Sequence, residues 1–335
     1  MKAILFALAG ISLLTTALFI ASAPTAVLKS ATTINNAEFH ALLREHKVPV
    51  NGLRDVHYRY SVYKTNKALI ESVNAQKLGY TLGVGPFTLY TFAEFKDMMG
   101  LQTIGSADAP ATVAEDGSSD LKDRQIDWRN VLDVTPVGNQ TNTCNAGYAF
   151  AVTGALEAQI KKFRGTVTPV STQQLVDCTT TMGNFGCKGG YATIALDYLT
   201  RTSISNGTDY AYTGRQGTCA PKDEYARVIG YKKIRTEADI MQALEVKPAI
   251  LAFEYDSGMQ HYSDGIYLNR SGACGANINH FALGVGYGFE NSGNRYYIVK
   301  NSFGTSWGRG GYMLLDMYTC GVSRNTYGAA LKDKP

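Results

Sequence analysis

No cysteine precedes Cys144 in this 335-residue chain, and no apolar run after Ile20 is long enough to cross a bilayer. The second absence excludes a multi-spanning membrane protein. Surplus charge is missing too: 32 basic against 28 acidic residues gives +4, with Lys and Arg scattered rather than striped. That excludes the basic footprint of a nucleic-acid binder. With 45% apolar and 18% charged residues the composition is globular rather than disordered, and the length allows a sizeable core.

What is present begins with "MKAILFALAGISLLTTALFIASAPTA". One early lysine, an uncharged apolar run from Ala3 to Ile20, then small residues make the layout of a secretory signal peptide. Ala21-Ser22-Ala23 fits a cleavage site, so residues 1–23 are read as the signal; an uncleaved anchor is the rival reading. An oxidising compartment gives the six cysteines meaning: Cys144, Cys178, Cys187, Cys219, Cys274 and Cys320 are expected to pair, although six allow 15 connectivities. An even count leaves no obligatory free thiol.

The chain has two textures. "AEFHALLREHKV" and a longer stretch from about Asp55 to Gln76 carry helical spacing, with Tyr63, Asn66, Ile70 and Asn74 on one face. Residues 102–124 are small, polar and acidic without an apolar period, which is linker composition. Beyond them "YAFAVTGALEAQIKKF" reads as a mostly buried helix, and "VSTQQLVDC" as a capping-box helix start. From Arg227 onward, "PAILAFEY", "FALGVGYG", "RYYIVKN" and "GYMLLDMY" read as antiparallel strands between glycine turns. Helices first and strands second imply an α+β fold of two packed lobes.

Three segments carry chemistry: "NQTNTCNAGYAF" before the buried helix, "NHFALGVGYG" with His280, and "YYIVKNSFGTSWGRGGY" with Asn301. A thiolate that attacks, an imidazole that shuttles the proton and an amide that orients the ring form one solution to acyl transfer. From about Asp127 to Lys334 the chain resembles the papain-like cysteine peptidases, cathepsin L-like branch. The resemblance implies a papain-like two-lobed fold, a helical left lobe and an antiparallel, barrel-like right lobe, over residues 122–335. It also implies the pairs Cys144–Cys187, Cys178–Cys219 and Cys274–Cys320. Gln140 matches the oxyanion-hole donor, His280 the general base and Asn301 its orienting amide, with Phe303 where the family has a tryptophan. Gly189 and Gly190 of "CKGG" match the wall that pairs with an extended substrate, while Tyr191, Ile278 and Phe281 hint at an apolar second pocket.

The front half resembles that branch's propeptide. Asp55, Arg59, Tyr63, Asn66, Ile70 and Asn74 match its helical signature, with Asp for Glu and Tyr for Phe. "GPFTLYTFAEF" keeps Phe87, Glu94 and Phe95, with Leu89 where the family has an acidic residue. Residues 24–121 are therefore expected to form a helical inhibitory-type propeptide.

Anchoring the family pattern on "YAF" puts Gly147 at the nucleophile, Tyr148 at the adjacent tryptophan and Cys144 at the bridge. Glycine has no side chain to attack with. Cys144 as the attacking thiol is the alternative register; it would strip Cys187 of its partner and place the thiol three residues before the helix. His280 without a thiol reads equally as a base or as a polar packing residue, and His261 reads as structural. Asn139, Asn206 and Asn269 begin glycosylation sequons. The expectation is a secreted or lysosomal/vacuolar monomer, inactive as a peptidase, that binds an extended peptide or protein segment and its own propeptide. No metal, cofactor, nucleic acid or membrane partner is expected. A thiol hydrolase with a non-standard nucleophile and a structural or storage protein are the alternatives.

Overall fold

In the computed structural model, residues 34–99 and 124–331 are described, apart from 132–133, 167–168, 235, 270–273, 276 and 323–325. The expected signal segment and residues 102–123 of the expected linker lie outside the described residues. None of the described helices is long and apolar enough to cross a membrane.

The front helical periods fold as α1 (Ala37–Glu45) and α2 (Leu53–Ala75). Tyr63, Asn66 and Ile70 lie on the buried face of α2, as their spacing of three and four requires. The asparagines on that face serve a purpose that an apolar residue cannot. An amide donates and accepts at once, so it can bracket a passing backbone. Asn66 Nδ2 donates to the carbonyls of Thr88 and Tyr90, both at 2.9 Å. Asn74 donates to the Leu82 carbonyl at 2.9 Å and accepts from its N–H at 2.8 Å. The chain so held forms the strand β1 (Tyr80–Leu82) and then the helix α3 (Phe92–Met99). Arg59 clamps the same return by donating to the Leu89 carbonyl and pairing with Glu94. Leu89 is fully buried in a cluster with Phe39, Val56 and Tyr63.

The back part begins with β2 (Ile126–Asp127) and continues with three helices: α4 (Gly147–Arg164), α5 (Thr172–Cys178) and α6 (Ala192–Arg201). Residues around the whole circumference of α4 are buried from Gly147 to Ile160, the signature of a helix enclosed by other elements. It stops at Gly165, whose φ of 73° reverses the chain, after Lys161, Lys162 and Arg164 have placed positive charge on its negative end.

β3 (Val228–Ile234) and α7 (Glu237–Val246) lead into the right-hand strands. These are β4 (Ala249–Phe253), β5 (Tyr262–Tyr267), β6 (His280–Phe289), β7 (Arg295–Lys300), β8 (Tyr312–Asp316) and β9 (Thr326–Leu331). The sheet order is β1-β5-β8-β7-β6-β4-β9-β3, with β2 paired to β6.

Three expectations are corrected. The sheet is not wholly antiparallel: β5 and β8 run parallel, Ile266 opposite Leu314. The chain crosses two strands between the end of β5 and β6, and such a crossover returns pointing the same way. The front segment is not wholly helical, because β1 joins that sheet antiparallel to β5. The capping box is half formed: Ser171 Oγ accepts from the Gln174 N–H at 3.0 Å. The Gln174 side chain turns instead to Tyr198, Ser203 and Ser205, tying α5 to the segment after α6.

One apolar core surrounds α4, α5 and α6, and a second lies under the right-hand strands. Ile70, Tyr80, Phe87 and Phe95 of the front segment belong to the second, so front and back share a core. The two cores meet where the start of α4 faces the start of β6.

Candidate active site

Every cysteine is bridged: Cys144–Cys187, Cys178–Cys219 and Cys274–Cys320, as the resemblance implied. The sequence holds six cysteines, so no thiol remains. The register with Cys144 as a free thiol is thereby excluded.

Gly147 is the first residue of α4 and faces the imidazole. A Cβ built on it would lie 3.3 Å from His280 Cε1, 3.3 Å from the Phe281 carbonyl and 3.4 Å from Gln140 Oε1. Its φ is outside the left-handed region, so the backbone does not require glycine here.

His280 opens β6, and Asn301 follows the last residue of β7, the strand beside it. His280 Nε2 lies 3.0 Å from Asn301 Oδ1. The same oxygen accepts the Ser302 N–H at 2.9 Å, which fixes it as the acceptor end of the amide. Nε2 therefore carries the proton, and Nδ1 keeps its lone pair. Nδ1 has no hydrogen-bond partner among the described residues. The rings of Phe253, Tyr255 and Phe303 enclose the imidazole at centroid distances of 5.4, 5.2 and 5.4 Å. This burial pushes its pKa down to about 4, with Asn301 pulling the other way. The ring is neutral at physiological pH.

Gln140 is held at both ends. Its N–H donates to the Ser302 carbonyl at 2.8 Å, and Ser302 Oγ donates to its Oε1 at 2.7 Å. With Oε1 engaged, Nε2 is the donor end of the side chain. The Tyr212 hydroxyl donates to the Gln140 carbonyl at 2.8 Å. The N–H groups of Gly147 and Tyr148 have no partner among the described residues, and Ala146 adds no side-chain cap. An uncapped start of an 18-residue helix carries partial positive charge. Gln140, Gly147, His280 and Asn301 thus converge, as their sequence positions led us to expect.

Other expected residues do not converge. Ile278 and Phe281 are buried in the cluster around α4, with Phe281 also lining the cavity described below, and Tyr191 is not part of that cluster. Gly189 O accepts from Phe185 N–H at 2.9 Å, whereas the backbone of Gly190 is unpaired among the described residues. A Cβ on Gly190 would meet Asn184 Oδ1 at 2.6 Å and Tyr148 Cζ at 3.0 Å, so its glycine is also a packing requirement. Tyr148 is buried with its hydroxyl 3.4 Å from the Gly186 carbonyl. His261 is buried with neither ring nitrogen bonded, consistent with a structural role.

Among the sequons, Asn139 is exposed; Asn269 directs Nδ2 at the Cys274 carbonyl and is the worst placed to carry a sugar. Thr141 adopts φ 66°, a strained conformation for a β-branched residue beside Gln140.

Ser302, Tyr212 and a buried network were not anticipated. In that network Thr135 Oγ1 donates to Glu157 Oε2 at 2.6 Å, and Lys300 Nζ donates to the Thr135 carbonyl at 2.5 Å. Burial raises the Glu157 pKa and lowers that of Lys300 to about 8. The adjacency of Ser302 to Asn301 was the available signal for the first; nothing local marks the others. Thr135, Glu157 and Lys300 border a cavity of about 310 Å³ that extends to Gly147, Phe281 and Asn301.

The arrangement is thus a two-lobed scaffold with a docked front segment and an imidazole oriented by an amide opposite a helix start. Residues 123–330 match the papain family cysteine proteases and residues 40–95 the cathepsin propeptide inhibitor domain (I29). The chain belongs to the papain family. It is 31% identical to a cathepsin L-like proteinase of Phaedon cochleariae over 84% of this chain and 89% of that one. Digestive procathepsin L 3 of Tenebrio molitor larval midgut superposes with a TM-score of 0.77 at 26% identity, covering 88% of this chain and 98% of the other. Bromelain of Ananas comosus in complex with the E64 inhibitor gives 0.57 at 32% identity, covering 62% and 99%.

Proposed function

We propose that this chain is a secreted pseudo-peptidase of the papain family, one that holds an extended peptide or protein segment in its cleft without cleaving it. The observation that carries this reading is a glycine opposite an intact His280–Asn301 pair in a chain with every cysteine bridged. In triad hydrolases, loss of the nucleophile costs about 10⁶ in kcat, which leaves peptide hydrolysis negligible. The unpaired backbone of Gly190 supports a groove that adds an extended segment by main-chain bonding. The relative solved in complex with the E64 inhibitor supports ligand binding by this fold.

Residues 24–121 act in this reading as a propeptide and 122–335 as the peptidase-like domain, delivered by the signal at residues 1–23 to the exterior or to a lysosomal or vacuolar lumen. Asn139 carries a glycan at the rim of the cleft. Thr141 supports this: it tolerates strain where glycine would be free, and threonine completes the acceptor sequence Asn139-Gln140-Thr141.

The test is twofold. An epoxide or iodoacetamide should leave the unreduced protein unlabelled, and an immobilised peptide library should retain it. One stoichiometric adduct, or no retention of any peptide, overturns the reading.

A further inference from the structure

Glycine at position 147 removes the nucleophile and leaves everything that served it. Nε2 of His280 is protonated and held by Asn301 at 3.0 Å, so Nδ1 is an acceptor aimed at the side where a thiol would stand. A methyl on Gly147 would stand 3.3 Å from His280 Cε1 and from the Phe281 carbonyl, a tight fit in which the neighbours give by a few tenths of an ångström, so position 147 lies directly against the imidazole. Gln140, pinned by Ser302, and the uncapped N–H groups of α4 remain as donors for a developing oxyanion. The cavity of about 310 Å³ reaches this point. It is lined in part by Thr135, Thr153, Glu157, Thr172 and Lys300. These side chains give an entering water hydrogen-bond partners along a lining that is otherwise mostly apolar.

We propose that this site hydrolyses activated esters directly, with water as nucleophile and His280 as general base, and with no covalent enzyme intermediate. Nδ1 takes a proton from water as the water oxygen bonds to the ester carbonyl carbon. The carbonyl becomes an oxyanion held by the Gln140 amide and the Gly147 N–H. On collapse the C–O bond to the leaving group breaks, and the departing aryloxide receives the proton from the imidazolium. The products are a carboxylic acid and a phenol. Peptides stay intact, because an amine is a far poorer leaving group. This activity goes beyond the binding function and does not depend on it.

The experiment uses the full chain and the same chain nicked within residues 102–121, with p-nitrophenyl esters of short N-acyl amino acids as probe. The expected rate is about 10³-fold over water, the level a triad hydrolase retains from its oxyanion hole and binding. His280→Ala and His280→Gln should each lower it about 100-fold, the lower end of a general base's contribution. Gly147→Ala, which fills the space beside the imidazole, should lower it as well. The imidazole faces Asn301 and three rings with no charged side chain bonded to it, and its pKa is about 4. The rate should therefore be flat from pH 5 to 8 and fall below about 4, as the base becomes protonated. No burst of nitrophenolate should precede the steady state, and ¹⁸O from labelled water should enter the acid product.

A rate unchanged in both folded His280 variants overturns the proposal, as does a stoichiometric burst or inactivity of both forms of the chain. Retention on the peptide library is read separately, so the two ideas fail independently.

Discussion

On one wall of the cleft, the segment from Gln140 to Tyr148 presents a strained Thr141, a bridged Cys144 and Gly147 at the start of α4. On the other, β6 and the chain after β7 present His280, Asn301 and Ser302 with their mutual hydrogen bonds intact. The physical difference is what each side chain does for the scaffold. A Cβ at 147 would meet the His280 ring, the Gln140 side chain and the Phe281 carbonyl, so glycine there leaves no unfilled gap among packed apolar side chains. His280 is walled in by Phe253, Tyr255 and Phe303, with Asn301 buried beside it, and loss of the imidazole would leave a hole among packed rings. Chemistry is cheaply removed on the first wall. On the second it is tied to packing.

The largest expected effect breaks that contrast. Gly147→Cys should raise hydrolysis of a fluorogenic peptide by several orders of magnitude, within the span of about 10⁶ that a nucleophile supplies. It should also create one site for iodoacetamide. A folded variant that stays inert shows that the second wall has lost function along with the first. In the same background Asn301→Ala should lower the regained kcat by about 100-fold through loss of the ring's orientation, read from initial rates.

The bridge on the first wall comes next. Cys144 and Cys187 close a loop of 43 residues, for which chain entropy gives about 4 kcal/mol. The Cys144→Ala, Cys187→Ala double variant should lose stability on that scale in urea unfolding, with the second wall's His–Asn pair unaffected by NMR.

His261, immediately before β5, offers a second buried imidazole to set beside His280. Burial alone depresses its pKa to about 4, below the ordinary 6.5 of an unfolded chain. The unfolded state therefore binds more protons between those values, and stability falls as pH drops from about 6.5 to 4. At the usual 1.36 kcal/mol per pH unit the contribution is about 3 kcal/mol. His261→Leu should flatten that part of the stability–pH curve relative to the parent.

The smallest effect concerns Ser302. Ser302→Ala removes one hydrogen bond to Gln140 and should cost about 1 kcal/mol of ligand binding, measured by calorimetry, without changing the fold.

Periodicity and residue identity alone determined a good deal. The helical face of α2, the buried helix α4, the four strand segments and the separation of the front segment follow from spacing that any compact fold must respect. The positions of Gln140, Gly147, His280 and Asn301, and the expected pairing of cysteines, were what the family resemblance implied. Tertiary structure alone decided the rest, because it depends on contacts between distant residues. The parallel β5–β8 pair and the addition of β1 to the sheet depend on where the chain crosses over. The diversion of Gln174 from capping to Tyr198 and Ser205 depends on α5 and α6 packing together. Ile278 and Phe281 are drawn into the cluster around α4 by packing that no local pattern encodes. Whether Cys144 was a staple or a nucleophile was open in the sequence. It was closed by a geometry that places its sulfur against Cys187 and sets Gly147, not Cys144, before His280.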